Sequence, residues 1–191
     1  MIIDRILYPI TSLGPGRRIT VWTCGCSKHC DRCANPELWE FDRTKDVDVQ
    51  KLVDIVKKIC SDYSVDGLTL TGGDPLEQFD DVISLCKGVR NDINDILIYT
   101  GYTFAQLADI RSEEDISNLR KYSDVIVDGP YIDALNEKNM ALRGSSNQNI
   151  IYFCKDNSRY KEYISNGRTI QNVFYDKGII SVGIHNHDEE E

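Results

Sequence analysis

The sequence predicts an α/β fold with parallel strands, and three observations carry that prediction. Short apolar segments alternate with helical stripes; the apolar segments are continuous runs; and the unusual residues cluster just after those runs. Alternating strands and helices mark a parallel sheet, and continuously apolar strands suit a sheet covered on both faces. At 191 residues the chain is long enough for one domain with a sizeable core. It shows no internal repeat, low-complexity stretch or linker.

The elements follow in order. RITVWT, residues 18–23, reads as a strand, and Gly14-Pro15-Gly16 before it is a turn signal, so residues 5–23 predict a hairpin-like entry. Apolar residues at 49, 52, 53, 56, 59 and 60 form a helical stripe. Gly67 to Thr71 is a short strand ending in Gly72-Gly73-Asp74-Pro75. A second stripe, Phe79, Val82, Ile83, Cys86 and Val89, predicts the next helix. Ile96 to Tyr99 is a strand broken at Thr100-Gly101, and helices are expected over Phe104–Ile110 and Glu113–Lys121. Asp124 to Val127 is a strand ending at Asp128-Gly129-Pro130; Ile150 to Phe153 and Ile179 to Val182 complete the set.

Composition narrows the function. Net charge is −9 with no Lys/Arg-rich run, which argues against nucleic acid as the main partner. No apolar run approaches the roughly 18–20 residues that span a bilayer, so no membrane association is expected. No secretion signal is evident in the first residues, and a cytoplasmic location is the expectation. Residues 1–184 read as the folded domain and 185–191, which include His185 and His187, as an acidic solvated tail. Seven cysteines, four of them within ten residues, point to metal or redox chemistry rather than a disulfide framework.

The chemistry gathers at strand ends. Cys26, Cys30 and Cys33 stand in the run CSKHCDRC, a spacing that lets one loop present three thiolates to one metal centre. An iron–sulfur cube takes four cysteines, so three local ones leave one iron open. Gly72 and Gly73 allow close approach of a ligand to the main chain, and Asp74 offers an acceptor for an ammonium group. In parallel α/β folds the C-terminal strand ends form the ligand-binding rim.

These residues carry a resemblance. The cysteine triplet with Gly-Gly-Asp-Pro at a later strand end resembles the radical S-adenosylmethionine (SAM) superfamily. Ser12 to Arg17, Cys33 to Trp39, Tyr99 to Thr103, Asp128 to Tyr131 and Leu142 to Gln148 resemble the activating proteins of anaerobic ribonucleoside-triphosphate reductases. The resemblance implies an incomplete (βα) barrel, since the chain is shorter than the roughly 250 residues of a full one. It also implies a [4Fe–4S] cluster on Cys26, Cys30 and Cys33 whose open iron chelates SAM. Gly72, Gly73 and Asp74 would contact the methionyl amine, with Thr100 and Asp128 as further SAM contacts. Reductive cleavage of SAM would yield a radical that takes hydrogen from a glycine of the partner reductase, with flavodoxin or ferredoxin as electron donor.

Other readings stand beside this one. The substrate could be another glycyl-radical enzyme, a peptide or a small molecule. A non-catalytic iron–sulfur or zinc protein is the rival of another class: Cys24 could close the cluster, or His29 could complete a zinc site. Packing is the simpler role for Cys24, Cys60, Cys86 and Cys154. Arg32 stands where many superfamily members carry an aromatic. The roles of Arg143, Ser145 and Gln148 stay open between SAM and partner.

Overall fold

The computed structural model describes residues 1–175 and 178–185; His187 and the acidic run after it lie outside them. A six-stranded sheet has the order β1 (Ile3–Ile10), β2 (Arg18–Thr23), β3 (Gly67–Gly72), β4 (Ile96–Tyr99), β5 (Val125–Asp128), β6 (Asn149–Tyr152). Its helices are α1 (Val49–Asp62), α2 (Phe79–Val89), α3 (Phe104–Ile110), α4 (Glu113–Tyr122) and α5 (Ser158–Ser165). The pair β7 (Ile170–Tyr175) and β8 (Gly178–Gly183) forms a separate antiparallel ribbon.

The architecture is mixed α/β, with one difference from an all-parallel expectation. Strands β2 to β5 are parallel, whereas β1 and β6 run antiparallel to their neighbours. The reason lies in the connections. A parallel return needs a crossover of a dozen or more residues, usually a helix. The Gly14–Gly16 turn makes β1–β2 the expected hairpin, and the β5–β6 connection, though long enough to cross over, carries no α-helix, only the 3-10 turn Asp133–Leu135.

Among the described residues, three of the five helices are capped by side chains. Asp48 accepts from Lys51 N at the start of α1, and Thr103 with Gln106 and Ser112 with Asp115 form capping boxes on α3 and α4. The stripes then turn inward: Leu52, Val53 and Val56 of α1 and Val82, Leu85 and Cys86 of α2 pack on Ile19, Val21, Leu68 and Leu70. Each such buried aliphatic contributes roughly 1.5–3 kcal/mol.

The other sheet face is different. Strands β4 and β5 are apolar on both faces, but β2 and β3 alternate, turning Arg18, Thr20 and Thr69 away from the helices, all of them buried. The ribbon covers this face through Val173, Ile180 and Val182, packed on Ile10, Leu13 and Trp22. Tyr160 of α5 covers Leu97, Val125 and Val127.

At the N-terminal end of the parallel strands sits a fully buried guanidinium. Arg18 donates to Thr69 Oγ1 (2.6 Å), Asp95 Oδ2 (3.0 Å), Leu68 O (2.8 Å) and Pro15 O (3.2 Å). Tyr160 donates to Asp95 Oδ1 at 2.6 Å. The charge is paired and hydrogen-bonded, as a buried charge must be.

Candidate functional site

The cysteine loop begins where β2 ends and is wound by its backbone. The residue before each of Cys26, Cys30 and Cys33 has positive φ: Gly25 at 99°, His29 at 46° and Arg32 at 51°. Left-handed backbone is uncommon outside glycine, and three such turns in nine residues fold the three cysteines toward one side. A Cβ at Gly25 would lie 2.3 Å from the Phe41 ring, so only glycine fits that turn. Backbone bonds fix the loop: Gly25 N donates to Leu38 O (2.8 Å) and Cys26 N to Trp39 O (2.9 Å).

The glycine pair docks against this loop. Gly73 N donates to Thr23 O and Asp74 N to Gly25 O, both at 2.8 Å. A Cβ on Gly73 would meet Gly25 O at 2.4 Å, and one on Gly72 (φ 106°) would meet Thr23 N at 2.6 Å. The two strand ends touch backbone to backbone, a contact that side chains would forbid.

One cavity of about 390 Å³ lies over these strand ends. Cys26, Cys30 and Cys33 line it together with Gly72, Gly73, Asp74 and Thr100. Asp74 is buried, and its carboxylate is occupied: Oδ1 accepts from Leu76 N (3.0 Å) and Thr100 Oγ1 (2.9 Å), Oδ2 from Gly101 N (2.9 Å). Burial pushes this carboxyl above its usual range, against the pull of Gly101, Thr100 and Leu76. Asp74 therefore ties the β4 end to the β3 end. Asp128 is not among the lining residues: it accepts from Phe104 N (2.7 Å) and Asn149 Nδ2 (2.9 Å), and Gly129 beside it lines the cavity instead.

The thiols suit a cluster. All three are free, and burial pushes Cys26 and Cys30 up, so metal binding must displace their protons. Asn35 N donates to Cys33 Sγ at 3.4 Å, and hydrogen bonds to sulfur tune iron–sulfur sites. Among the described residues, Arg5, Lys28 and Arg32 also line the cavity, together with one carboxylate, Asp74. Each of these cations is paired with a carboxylate outside the lining: Arg5 with Asp4 (2.6 Å), Lys28 with Glu77 (3.5 Å) and Arg32 with Asp133 (3.6 Å). Lys28 sits 3.2 Å from the Tyr102 ring centroid; Tyr102, Asp74 and Glu77 outweigh its burial and hold its ammonium above the ordinary value.

The alternative ligands point elsewhere. Cys24 is 1% exposed among Ile10, Leu13, Trp22 and Leu38, outside the cavity lining. His29 stacks on Trp39 at 4.7 Å.

Sequence reasoning marked Tyr131 and Gly144 only by the segments that contain them, and missed Asn136 and residues 180 to 185 as parts of the far wall. Tyr131, Asn136, Gly144 and residues 180 to 185 line it. Arg168 braces that wall, donating to Asn136 Oδ1 (2.9 Å), Met140 O (3.0 Å), Gly144 O (3.1 Å) and His185 O (3.0 Å). Gln148 is a lining residue whose own amide is spent on Gly144 N and Gly129 O. Arg32 reaches across the mouth to Asp133 at 3.6 Å.

A three-cysteine loop on the rim of a mostly parallel sheet defines an iron–sulfur domain of the α/β class, and the family model for a 4Fe-4S single cluster domain matches residues 12–151. The chain is 36% identical over 155 residues to the anaerobic ribonucleoside-triphosphate reductase-activating protein of Enterobacteria phage T4, covering 77% of this chain and 91% of that one. The protein of the same name from Vibrio cholerae serotype O1 is 33% identical over 153 residues, 76% of this chain and 95% of that one. That of Escherichia coli K12 is 31% identical over 153 residues, 74% and 92% of the two chains. This chain belongs to the 4Fe–4S single-cluster-domain family of anaerobic ribonucleoside-triphosphate reductase-activating proteins. Among the described residues no helix is long and apolar enough to cross a membrane.

Proposed function

We propose that this protein is a cytoplasmic radical SAM activating enzyme that generates a glycyl radical on anaerobic ribonucleoside-triphosphate reductase. The observation that carries this reading is a single cavity joining the cysteine triplet to the glycine pair and Thr100. Cys26, Cys30 and Cys33 hold a [4Fe–4S] cluster. Such a cluster, when bound and reduced, would supply one electron for cleavage of SAM to methionine and a 5′-deoxyadenosyl radical, with a glycine Cα of the partner as the hydrogen donor.

The chain's own residues bind and orient. Gly72 and Gly73 bring backbone, free of side chains, to the amino-acid end of SAM. Asp74 acts through position: its bonds to Thr100 and Gly101 hold the β4 end at the ligand. Asp128 does the same at β5, anchoring α3 and β6 so that Gly129 faces the cavity. Trp22, buried in the cavity wall, excludes water from the cysteine side. The sheet running in order from β1 to β6, with the ribbon on its inner face, is an incomplete (βα) barrel over residues 1–184. A flavodoxin or ferredoxin supplies the electron.

Anaerobic reconstitution tests the proposal. Iron-loaded protein reduced with dithionite should change its electron paramagnetic resonance spectrum on adding SAM, release 5′-deoxyadenosine, and raise a glycyl radical signal on added reductase. Ala at Cys26, Cys30 or Cys33 should abolish the cluster, whereas Cys24→Ala should keep it. No SAM-dependent spectral change and no 5′-deoxyadenosine from loaded protein would sink the enzyme reading; equal damage from Cys24→Ala would sink the ligand set.

A further inference from the structure

The β7–β8 ribbon meets the cavity along a strand edge. Residues 180 to 185 all line the cavity, while among the described residues none of β7 does. Side chains of a strand alternate between two faces. A cavity resting on one face would touch every second residue, and would touch β7 as well. Six consecutive lining residues from β8 and its end therefore trace the edge remote from β7.

That edge is unpaired. Among the described residues β8 pairs with β7 alone, and residues 179 to 184 make no other backbone–backbone bond. Ile180 and Val182 anchor the strand by packing on Ile10, Leu13 and Trp22. Gln171 clamps the ribbon by donating to Pro9 O (2.8 Å) and accepting from Thr11 N (2.8 Å). A rigid strand with open N–H and C=O groups is a template for an added strand. The same cavity continues to Cys26, Cys30 and the glycine pair. The ribbon also lies outside residues 12–151, which the family model matches.

We propose that the free edge of β8 receives an extended, glycine-bearing peptide segment of the protein substrate as an added strand, presenting its glycine Cα to the cysteine side of the cavity. The proposal rests on the reading above that the substrate is a protein glycine. Glycine suits the position because it lets one backbone approach another closely.

The test uses cluster-loaded protein with SAM and a labelled peptide of about ten residues spanning the reductase's radical-bearing glycine, followed by fluorescence anisotropy. N-methylation of single peptide nitrogens removes one donor at a time. Methylation at alternate positions should weaken binding about tenfold or more, and at the intervening positions less than about twofold, because only every second N–H of an added strand faces its neighbour. Amide exchange in β8 should slow on binding. A flat N-methyl scan, or no binding of the peptide by protein that still activates whole reductase, overturns the edge proposal. Release of 5′-deoxyadenosine without peptide is the separate check: if it fails, the enzyme reading falls; if it holds while the scan is flat, only the edge proposal does.

Discussion

The two ends of the parallel strands use buried polar groups in opposite ways. At the N-terminal end, the Arg18 guanidinium meets Thr69, Asp95, Leu68 O and Pro15 O, and the Tyr160 hydroxyl closes on Asp95. At the C-terminal end Asp74 is as fully bonded, yet it works to hold open a cavity lined by free thiols, bare glycine backbone and three cations. One sheet thus carries a closed polar knot at one end and a receptive rim at the other. A saturated network adds rigidity and offers a ligand nothing; at the rim the thiols and glycine backbone face the cavity, while its cations are paired outside it.

The contrast breaks most visibly at Asp95. Asp95→Ala strands the Arg18 charge in the interior and should cost about 3–5 kcal/mol of unfolding free energy in urea titrations. The folded fraction should still load iron in full. A loss below about 1 kcal/mol would mean the knot is not structural. On the rim, Gly73→Ala forces a Cβ against Gly25 O, a backbone atom that cannot swing away. It should cost about 1–3 kcal/mol and, unlike Asp95→Ala, lower iron bound per folded protein.

Asp74 sharpens the comparison through pH. Burial raises its carboxyl above the ordinary value, so the native state holds a proton that the unfolded chain has released. Stability from that group is full below the ordinary aspartate value and is lost as pH rises through the raised one. Asp74→Asn removes this dependence while unbalancing the Thr100 and Gly101 bonds, at about 1–3 kcal/mol. Its deficit against the unaltered protein should be greatest in acid and shrink toward neutral pH, read from urea midpoints. The smallest effect is expected at His29. His29→Gly relieves left-handed strain worth about 1 kcal/mol and forfeits stacking on Trp39 worth about 0.5–1.5 kcal/mol. Stability should move by less than about 1 kcal/mol, with iron content unchanged.

The sequence made one part of this molecule legible and hid another, for physical reasons. Helices α1 and α2 declare themselves by a periodic apolar stripe, strands β2 and β3 by alternating apolar residues, and β4 and β5 by continuous apolar runs. Strand β7 does not: its inward Gln171 is satisfied by Pro9 and Thr11, while Phe174, which reads as core, is 75% exposed. Helix α5 is short and buries Tyr160 alone. In the site, CSKHCDRC and Gly72-Gly73 are local signals and the fold brings them together. Asp74 and Asp128 look alike at two strand ends, yet one lines the cavity and the other bonds behind it. The far wall depends on Arg168 reaching back to residues 136, 140 and 144, a long-range arrangement that no spacing rule reveals.

The three left-handed residues before the cysteines carry a consequence for assembly. Gly25, His29 and Arg32 set the winding of the loop, and Leu38 O and Trp39 O hold it. On the proposed reading, removing iron should leave amide exchange across residues 25–39 unchanged, and refilling should restore the original iron content.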